Sequence, residues 1–531
     1  GLDRAELSLA GAYPVVDDSR YGMHAFRMRR PLAPGAAVEL SYRLAAAQRG
    51  IRTSGFDLSV VENGSFLTHL EAFPSLGYRA GYELADPAER RRQGLPARAD
   101  TLTSGMAESL GEETADRVTL ETTVSTSADQ VVVAPGELRG EWTRGGRRYF
   151  RYVADRPIDR QFAFASARYA TRRVVHGGVS VEVYFHPEHA ANVDRMLRAA
   201  TLSLDVFGRE FGPYPHRSLR IVEVPPYWGF GALAMSGVVY LTEDRGFLTD
   251  ARDSTRLDLV TRRVAHEVGH QWWSHQVNPG DGPGATLIVE SLAKYSEQMV
   301  LRRMHGDRQL ARLLEFDLQR YLLGRAQDPE EERPLDRVTG QAYLYYGKGA
   351  VVMAALRGLM GEAALDRALR GLVREHAWPA PPPTSEDLVA ALRAEAPPGD
   401  RALVDQWLRE VVLYDLAVES ASYRELPDGR YRVTARIRAG KTARRGGADV
   451  PLAFDEPLEV AVFAEDPASS DRAPLYAVRL RVRGGVSEVA FLVDGRPGYV
   501  AIDPGVRRVE VERADNVRAV SDAGQGRSAR P

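Results

Sequence analysis

The spacing of apolar residues changes twice along the chain, and this limits the folds open to it. Before about residue 175 the period is two. In "RVTLETTVST" apolar and polar residues alternate from Val118 through Val124, as in a strand with one buried face. "VVVAPGELRGEW" and "RRYFRYVADRP" continue the pattern, with Pro-Gly and Gly-Gly pairs at the turns. From about His186 to Glu410 the period becomes helical: Val193, Met196, Leu197, Ala200, Leu204 and Phe207 share one helix face. After a proline cluster, Thr384 or Ser385 can cap a further helix, with Glu386 and Asp387 in its first turn. From about Leu416 alternation returns. Val478, Leu480 and Val482 interleave with Arg479, Arg481 and Arg483, which suits an antiparallel sandwich with one wet face.

A chain of 531 residues is too long for one core. The expectation is a multidomain α+β protein: a β domain over 1–175, a mainly helical domain over 176–412 and a β-sandwich over 413–516. The tail, 517–531, has too few apolar residues to fold and is expected to be disordered. The charge-rich stretch Asp86–Asp100 is expected to be a solvated loop.

Composition removes several function classes. Basic and acidic side chains number 70 and 72, giving a net charge of -2, so no bulk field draws in nucleic acid or an anionic membrane. Only Lys294, Lys348 and Lys441 are lysines; the rest of the positive charge is arginine. Cysteine is absent, which excludes disulfides and thiolate metal sites; any metal must be held by His, Asp or Glu. No run of 18 apolar residues spans a bilayer. The start, "GLDRAELSLAGAYP", lacks the basic and apolar parts of a signal peptide, and could equally be the cut edge of a longer protein.

Within the helical region lies "VAHEVGHQWW", Val264 to Trp273. Asp253 or Ser254 is a candidate cap for its helix, and Leu257, Val260, Val264 and Val268 form an apolar stripe. His266 and His270 then sit one turn apart and project from one face toward one point. Glu267 lies about 100° around the helix, out of their coordination sphere but within reach of a water bound there. Two ligands and one base is the reading, with zinc (Zn2+, one per chain) as the metal. A zinc site with one open position needs a third protein ligand. The next helical pattern, "GATLIVESLAKYSEQMVLRR", carries Glu290, the expected third ligand, and Glu297, two turns on, expected to orient a ligand histidine.

Other histidines are expected to be structural. His186 and His189 sit at a strand end beside a proline, and His275 falls on another helix face than His270. Trp272 and Trp273 are expected in the core or a pocket wall.

"VAHEVGHQWWSHQV" followed by Glu290 resembles the aminopeptidase N-like zinc metallopeptidases, which belong to the gluzincins. Those proteins carry a later Tyr-x-Lys-Gly motif, which Tyr346-Gly347-Lys348-Gly349 matches here. The resemblance implies a saddle-like N-terminal β-sheet domain, a thermolysin-like catalytic domain and a C-terminal β-sandwich. It implies peptide substrates and a transition-state role for the Tyr346 hydroxyl. "FRMRRPLAPGAAVELSYRL", "VVENGSFL" and "VSTSADQVVVAPGELRGEWTRGGRRYFRY" are similar to peptidase domains fused to bacterial ABC-transporter permeases. That similarity implies attachment to a membrane transporter in a longer protein, with this segment as an extracytoplasmic domain.

Two positions depart from the family. The spacing from His270 to Glu290 is one residue longer than usual. The family's substrate-anchoring Gly-Ala-Met-Glu-Asn aligns with Gly231-Ala232-Leu233-Ala234-Met235, so Ala234 replaces the glutamate that grips a terminal ammonium. Glu223, Glu243 or an acidic residue of the first domain could substitute. "PPYWGFGAL" has the character of an active-site edge strand, with Tyr227, Trp228 and Phe230 as its rim. The expected activity is zinc-dependent peptide hydrolysis, with an aminopeptidase as first choice. An endopeptidase or oligopeptidase is the alternative, and a zinc-stabilised peptide-binding module of a transporter, with vestigial catalysis, is a further one.

Overall fold

A computed structural model describes residues 3–18, 22–47, 58–77, 84, 87–96, 117–279, 282–328, 331–470 and 472–523. The architecture is strand-rich, then helical, then strand-rich, as the periodicity dictates. In the first region three antiparallel strands, Glu121–Ser127, Glu137–Arg144 and Arg147–Val153, form one sheet. Gly64–Thr68, Ala163–Ala167 and Val131–Val133 belong to another. Within Asp86–Asp100, Pro87–Arg92 is a helical turn rather than loop, with arginines in its last turn and Glu89 in its first, where they oppose the helix dipole. Residues 86 and 97–100 of that stretch lie outside the described residues.

The middle region is not purely helical. It contains a five-stranded mixed sheet in the order β1 (Ala170–His176), β2 (Val179–Phe185), β3 (Ser218–Val224), β5 (Val238–Thr242), β4 (Ala232–Met235). Its first strand begins inside the stretch assigned from sequence to the first domain. β2, β3 and β5 run parallel, and β4 is antiparallel at the edge. β3 and β5 are buried on both faces: β5 is largely apolar, whereas β3 buries Arg220 and Glu223 among its apolar residues, so neither shows the alternation of a strand with one wet face. α1 (Val193–Glu210) makes the crossover from β2 to β3 and buries Val193, Met196, Leu197, Ala200, Leu204 and Phe207, the face expected from sequence. The edge strand proper is Ala232–Met235. Pro226–Trp228, just before it, is a 3-10 turn, because two prolines remove the amide donors that a strand needs.

α2 (Leu259–Gly269) packs against α3 (Leu292–Gln327), which breaks at Gly306, where φ is 81°. α4 (Gly349–Met360), α5 (Glu362–His376), α6 (Ser385–Glu395) and α7 (Arg401–Arg409) complete the helical layer. Of the two candidate caps, Thr384 and Ser385, it is Thr384 that caps α6, in a capping box with Asp387. The final region is two mainly antiparallel sheets built on Val412–Glu425 with Tyr431–Arg445, and on Asp455–Phe463 with Tyr476–Arg483. The expected disorder after Asn516 does not hold for its first residues. Val517–Ala519 pairs with Tyr499–Ile502, and Ser521–Asp522 with Val412–Glu425. Backbone pairing to two existing strands supplies what the side chains lack. Residues 524–531 lie outside the described residues.

The first and middle regions share a core. Val132, Phe150, Tyr152 and Phe164 cluster with Val222, Val224, Met235 and Tyr240 of the mixed sheet, and the Tyr240 hydroxyl donates to the Ala163 carbonyl at 2.8 Å. At this junction Asp159 pairs with both Arg117 and His275, all three groups buried. His275 is therefore structural, as expected. Burial, and then the Arg117 charge, lower its pKa from 6.5 to about 3. A base whose pKa is depressed by folding stabilises above the unfolded pKa and loses that contribution as pH falls through the folded one. Stability should therefore fall between about pH 6.5 and 3, by at most about 1.4 kcal/mol per pH unit from this group. Urea unfolding at pH 7 and 5 measures the loss, and it should shrink in His275→Gln.

Candidate active site

The helix that carries the motif is capped one turn later than the sequence suggests. Asp258, not Asp253 or Ser254, accepts from the Thr261 amide at 3.0 Å, and Arg195 (2.5 Å) and His305 (2.9 Å) hold its carboxylate. Asp253 closes a local turn on Thr255 instead. α2 ends at Gly269, where the chain turns inward and buries Trp272 and Trp273 completely. Gly269 permits close approach of α3: a Cβ there would lie 3.0 Å from the Ser296 Cβ.

His266 and His270 project together, with ring centroids 4.7 Å apart. Glu290 meets them: its Oε2 lies 3.2 Å from His266 Nε2 and 3.5 Å from His270 Nε2. It does so from a π turn, Leu287–Ser291, which accommodates one residue more than an α turn and leads directly into α3. The ring nitrogens facing away are also engaged. His270 Nδ1 donates to the Trp273 carbonyl at 3.1 Å, and His266 Nδ1 faces Glu297 Oε2 at 3.3 Å. These contacts favour the Nδ1–H tautomers and leave two Nε2 lone pairs aimed at a carboxylate oxygen. Three such acceptors in a buried space repel one another unless positive charge sits between them, a proton on His266 when no metal is bound or a metal cation in its place. Two imidazoles and a carboxylate are a zinc donor set, so the residues fit that metal.

Titration behaviour follows from burial and crowding. Desolvation opposes charge on His266, but hydrogen bonds to Glu290 and Glu297 override it and raise its pKa to about 9. His270 is lowered to about 4, chiefly by desolvation. Desolvation also opposes the Glu290 charge, yet both histidines pull it down to about 2. Glu267 is raised to about 7, first by desolvation and then by Glu290 and Glu297, against the lowering effect of His266.

Glu267 and Tyr346 line one cleft of about 690 Å³ together with His266, Gly231 and Ala232. Tyr346 is delivered by a second π turn, Tyr343–Lys348. Its ring lies 5.8 Å from that of His266, its hydroxyl bonds Glu290, and burial pushes its pKa upward. Gly347 lets this turn press on α3, since a Cβ there would lie 2.8 Å from the Asp317 carbonyl. Of the five residues aligned with the anchoring motif, Gly231 and Ala232 reach the cleft. The Ala234 backbone bonds Glu267, while Met235 is buried and Leu233 packs against the shared core. Phe230 lines the cleft, whereas Tyr227 and Trp228 line a separate pocket with Glu223 and Glu243. In that pocket Glu223 bonds His189 at 2.5 Å and the His186 amide at 2.6 Å. Neither glutamate turns to the cleft.

Sequence reasoning missed what holds Glu297. This carboxylate is 1% exposed and is paired with Arg262 at 3.0 Å and with Lys294, which also reaches Asp317 at 2.7 Å. One signal was available in the rarity of lysine: the chain has only Lys294, Lys348 and Lys441, and the structure buries all three against a glutamate, Lys348 on Glu332 and Lys441 on Glu456. Removing one member of a buried ion network strands the others. Lys294→Met is expected to cost about 3–5 kcal/mol in urea unfolding, a loss that exposed substitutions such as Arg252→Met do not produce.

Residues 196–407 match the peptidase family M1 domain, and every residue of the convergence and its cleft falls within them. Three curated proteins are similar to parts of the chain. Aminopeptidase 2 of Candida albicans is 25% identical over 360 residues, 65% of this chain and 38% of that protein. Endoplasmic reticulum aminopeptidase 2 of Homo sapiens is 24% identical over 207 residues, 36% of this chain and 21% of its own length. Aminopeptidase M1 of Arabidopsis thaliana is 24% identical over 245 residues, covering 44% and 27%. The chain thus spans well under half the length of these relatives. The segment that holds the donor set and the cleft is thus similar to the peptidase family M1 domain, and the chain is weakly similar to aminopeptidases.

Proposed function

We propose that this chain is a zinc-dependent peptidase that hydrolyses peptide bonds, with His266, His270 and Glu290 as the metal ligands. The observation that carries this reading is the approach of Glu290 Oε2 to both Nε2 atoms, at 3.2 and 3.5 Å, beside a cleft lined by Glu267 and Tyr346. Zinc bound there would acidify a water and polarise the substrate carbonyl.

The chain's own residues do the rest. Glu267 accepts the proton as water attacks the carbonyl and passes it to the leaving amine, a role that suits a carboxylate lining the cleft beside His266. The Tyr346 hydroxyl, kept protonated by burial, donates to the oxygen that gains charge. Glu297 holds the His266 ring through Nδ1, and Arg262 and Lys294 hold Glu297. The aminopeptidase relatives support removal of amino-terminal residues as the first assignment. Ala234, which offers no side-chain acceptor for an ammonium, favours an endopeptidase or oligopeptidase as the second. A peptide-binding module without catalysis would need neither Glu267 nor Tyr346 on the cleft. The similarity of N-terminal segments to transporter-fused peptidase domains supports attachment to a permease in a longer protein. Among the described residues no helix is long and apolar enough to cross a membrane.

Glu267→Gln is expected to retain about one zinc per chain while kcat falls by at least about 10³-fold, and Tyr346→Phe to lower kcat by about 10²–10³-fold. Removing zinc with a chelator should abolish cleavage, and re-adding it should restore cleavage. Quenched-fluorescence peptide assays with elemental analysis check all three; unchanged turnover in Glu267→Gln contradicts the assignment.

A further inference from the structure

The charges around the cleft do not balance. Four arginines border it, and two are committed. Arg262 pairs with Glu297 at 3.0 Å and lies 4.0 Å from Asp317. Arg245 pairs with Asp244 at 3.2 Å. Arg263 donates to the Arg245 carbonyl, and Arg320 lies 4.3 Å above the Tyr346 ring. Among the described residues neither Arg263 nor Arg320 makes an ion pair.

The anionic side is correspondingly bare. Position 234 is alanine. Glu223 and Glu243, the two carboxylates best placed in sequence to replace a glutamate there, face the separate pocket beside His189. Asp244, the remaining carboxylate on the cleft outside the catalytic group and its support, is already paired with Arg245. A peptide's terminal ammonium therefore meets unopposed positive charge, whereas a carboxylate meets two guanidiniums with free donors.

We propose that the cleft grips its peptide through a carboxylate, held by Arg263 and Arg320, in place of an anchor for the terminal ammonium. The inference rests on the peptidase reading for its catalytic consequence. Position fixes where the carboxylate lies. Arg263 is four residues before Glu267 on α2, hence on the same helix face, and Arg320 covers the ring whose hydroxyl bonds Glu290. Both arginines thus border the cleft that Glu267 and Tyr346 line, and the carboxylate they hold belongs within a residue or two of the cleaved bond. Guanidinium recognises carboxylate through paired, charge-assisted hydrogen bonds, a geometry that lysine does not reproduce. Two sources present this chemistry: an acidic side chain beside the bond, or the terminal carboxylate of a short peptide.

The test uses the zinc-loaded protein and three matched sets of internally quenched, alanine-rich peptides. One set is uncharged and C-terminally amidated; one carries a single Glu at successive positions; one is short with a free C-terminus. At least one carboxylate-bearing set is expected to exceed the uncharged set about 10-fold or more in kcat/KM. Which set does so separates side chain from terminus. That ratio should fall several-fold in Arg263→Gln and in Arg320→Gln and recover in part in neither lysine variant. Because Arg320 touches Tyr346, the ratio between substrates, not the absolute rate, is the readout. Binding of the same peptides to Glu267→Gln, followed by fluorescence anisotropy, gives the preference without turnover. Equal or weaker use of the carboxylate sets overturns the proposal, as does a ratio unchanged in both glutamine variants. Hydrolysis of no peptide, with the binding preference intact, overturns the peptidase reading and leaves the carboxylate grip standing.

Discussion

Three hydrogen-bond acceptors aimed at one another in a buried space are the constraint on which the rest depends. The Nε2 atoms of His266 and His270 face Glu290 Oε2, and their opposite nitrogens are held by Glu297 and the Trp273 carbonyl. Such a cluster is unfavourable when empty of positive charge and favourable around a cation. The surrounding structure is arranged to hold it. Asp258 fixes where α2 starts, Gly269 lets α3 approach, and the Leu287–Ser291 π turn sets Glu290 opposite the histidines.

Behind that cluster lies a second layer of charge. Glu297, Lys294, Arg262 and Asp317 form a buried network in which each ion is compensated, and the network faces His266 through Glu297. Burying so many charges is costly unless each one is paired. Here the return is a fixed orientation for one imidazole. The mixed sheet contributes the opposite wall. Its edge strand, Ala232–Met235, brings backbone rather than charge to Glu267, through Ala234.

How much of this was legible in the sequence depended on range. His266, Glu267 and His270 could be read because helix geometry relates residues one and four apart without knowledge of anything else. The apolar face of α1 and the Thr384 cap were legible for the same reason. β3 and β5 were not, because both are buried on both faces and the polar residues of β3, Arg220 and Glu223, are buried too, so no polar position marks a solvent side. The cap of α2 was missed because Asp253, Ser254 and Asp258 are all competent caps, and only Arg195 and His305, distant in sequence, decide among them. The strands after Asn516 were missed because their stability comes from their partners rather than from their own side chains. Glu290, Glu297 and Tyr346 lie beside His266, but the π turns that deliver Glu290 and Tyr346 carry no periodic signature. The isolation of Glu223 and Glu243 from the cleft is a property of the folded loop Pro225–Gly231 alone.

If this convergence is a zinc site made of two imidazoles and one carboxylate, X-ray absorption at the zinc edge on the metal-loaded chain should show two imidazole nitrogens at about 2.0–2.1 Å and a carboxylate oxygen at about 2.0–2.2 Å, with one imidazole lost in His270→Ala. A spectrum with one imidazole or none, or one that His270→Ala leaves unaltered, would contradict it.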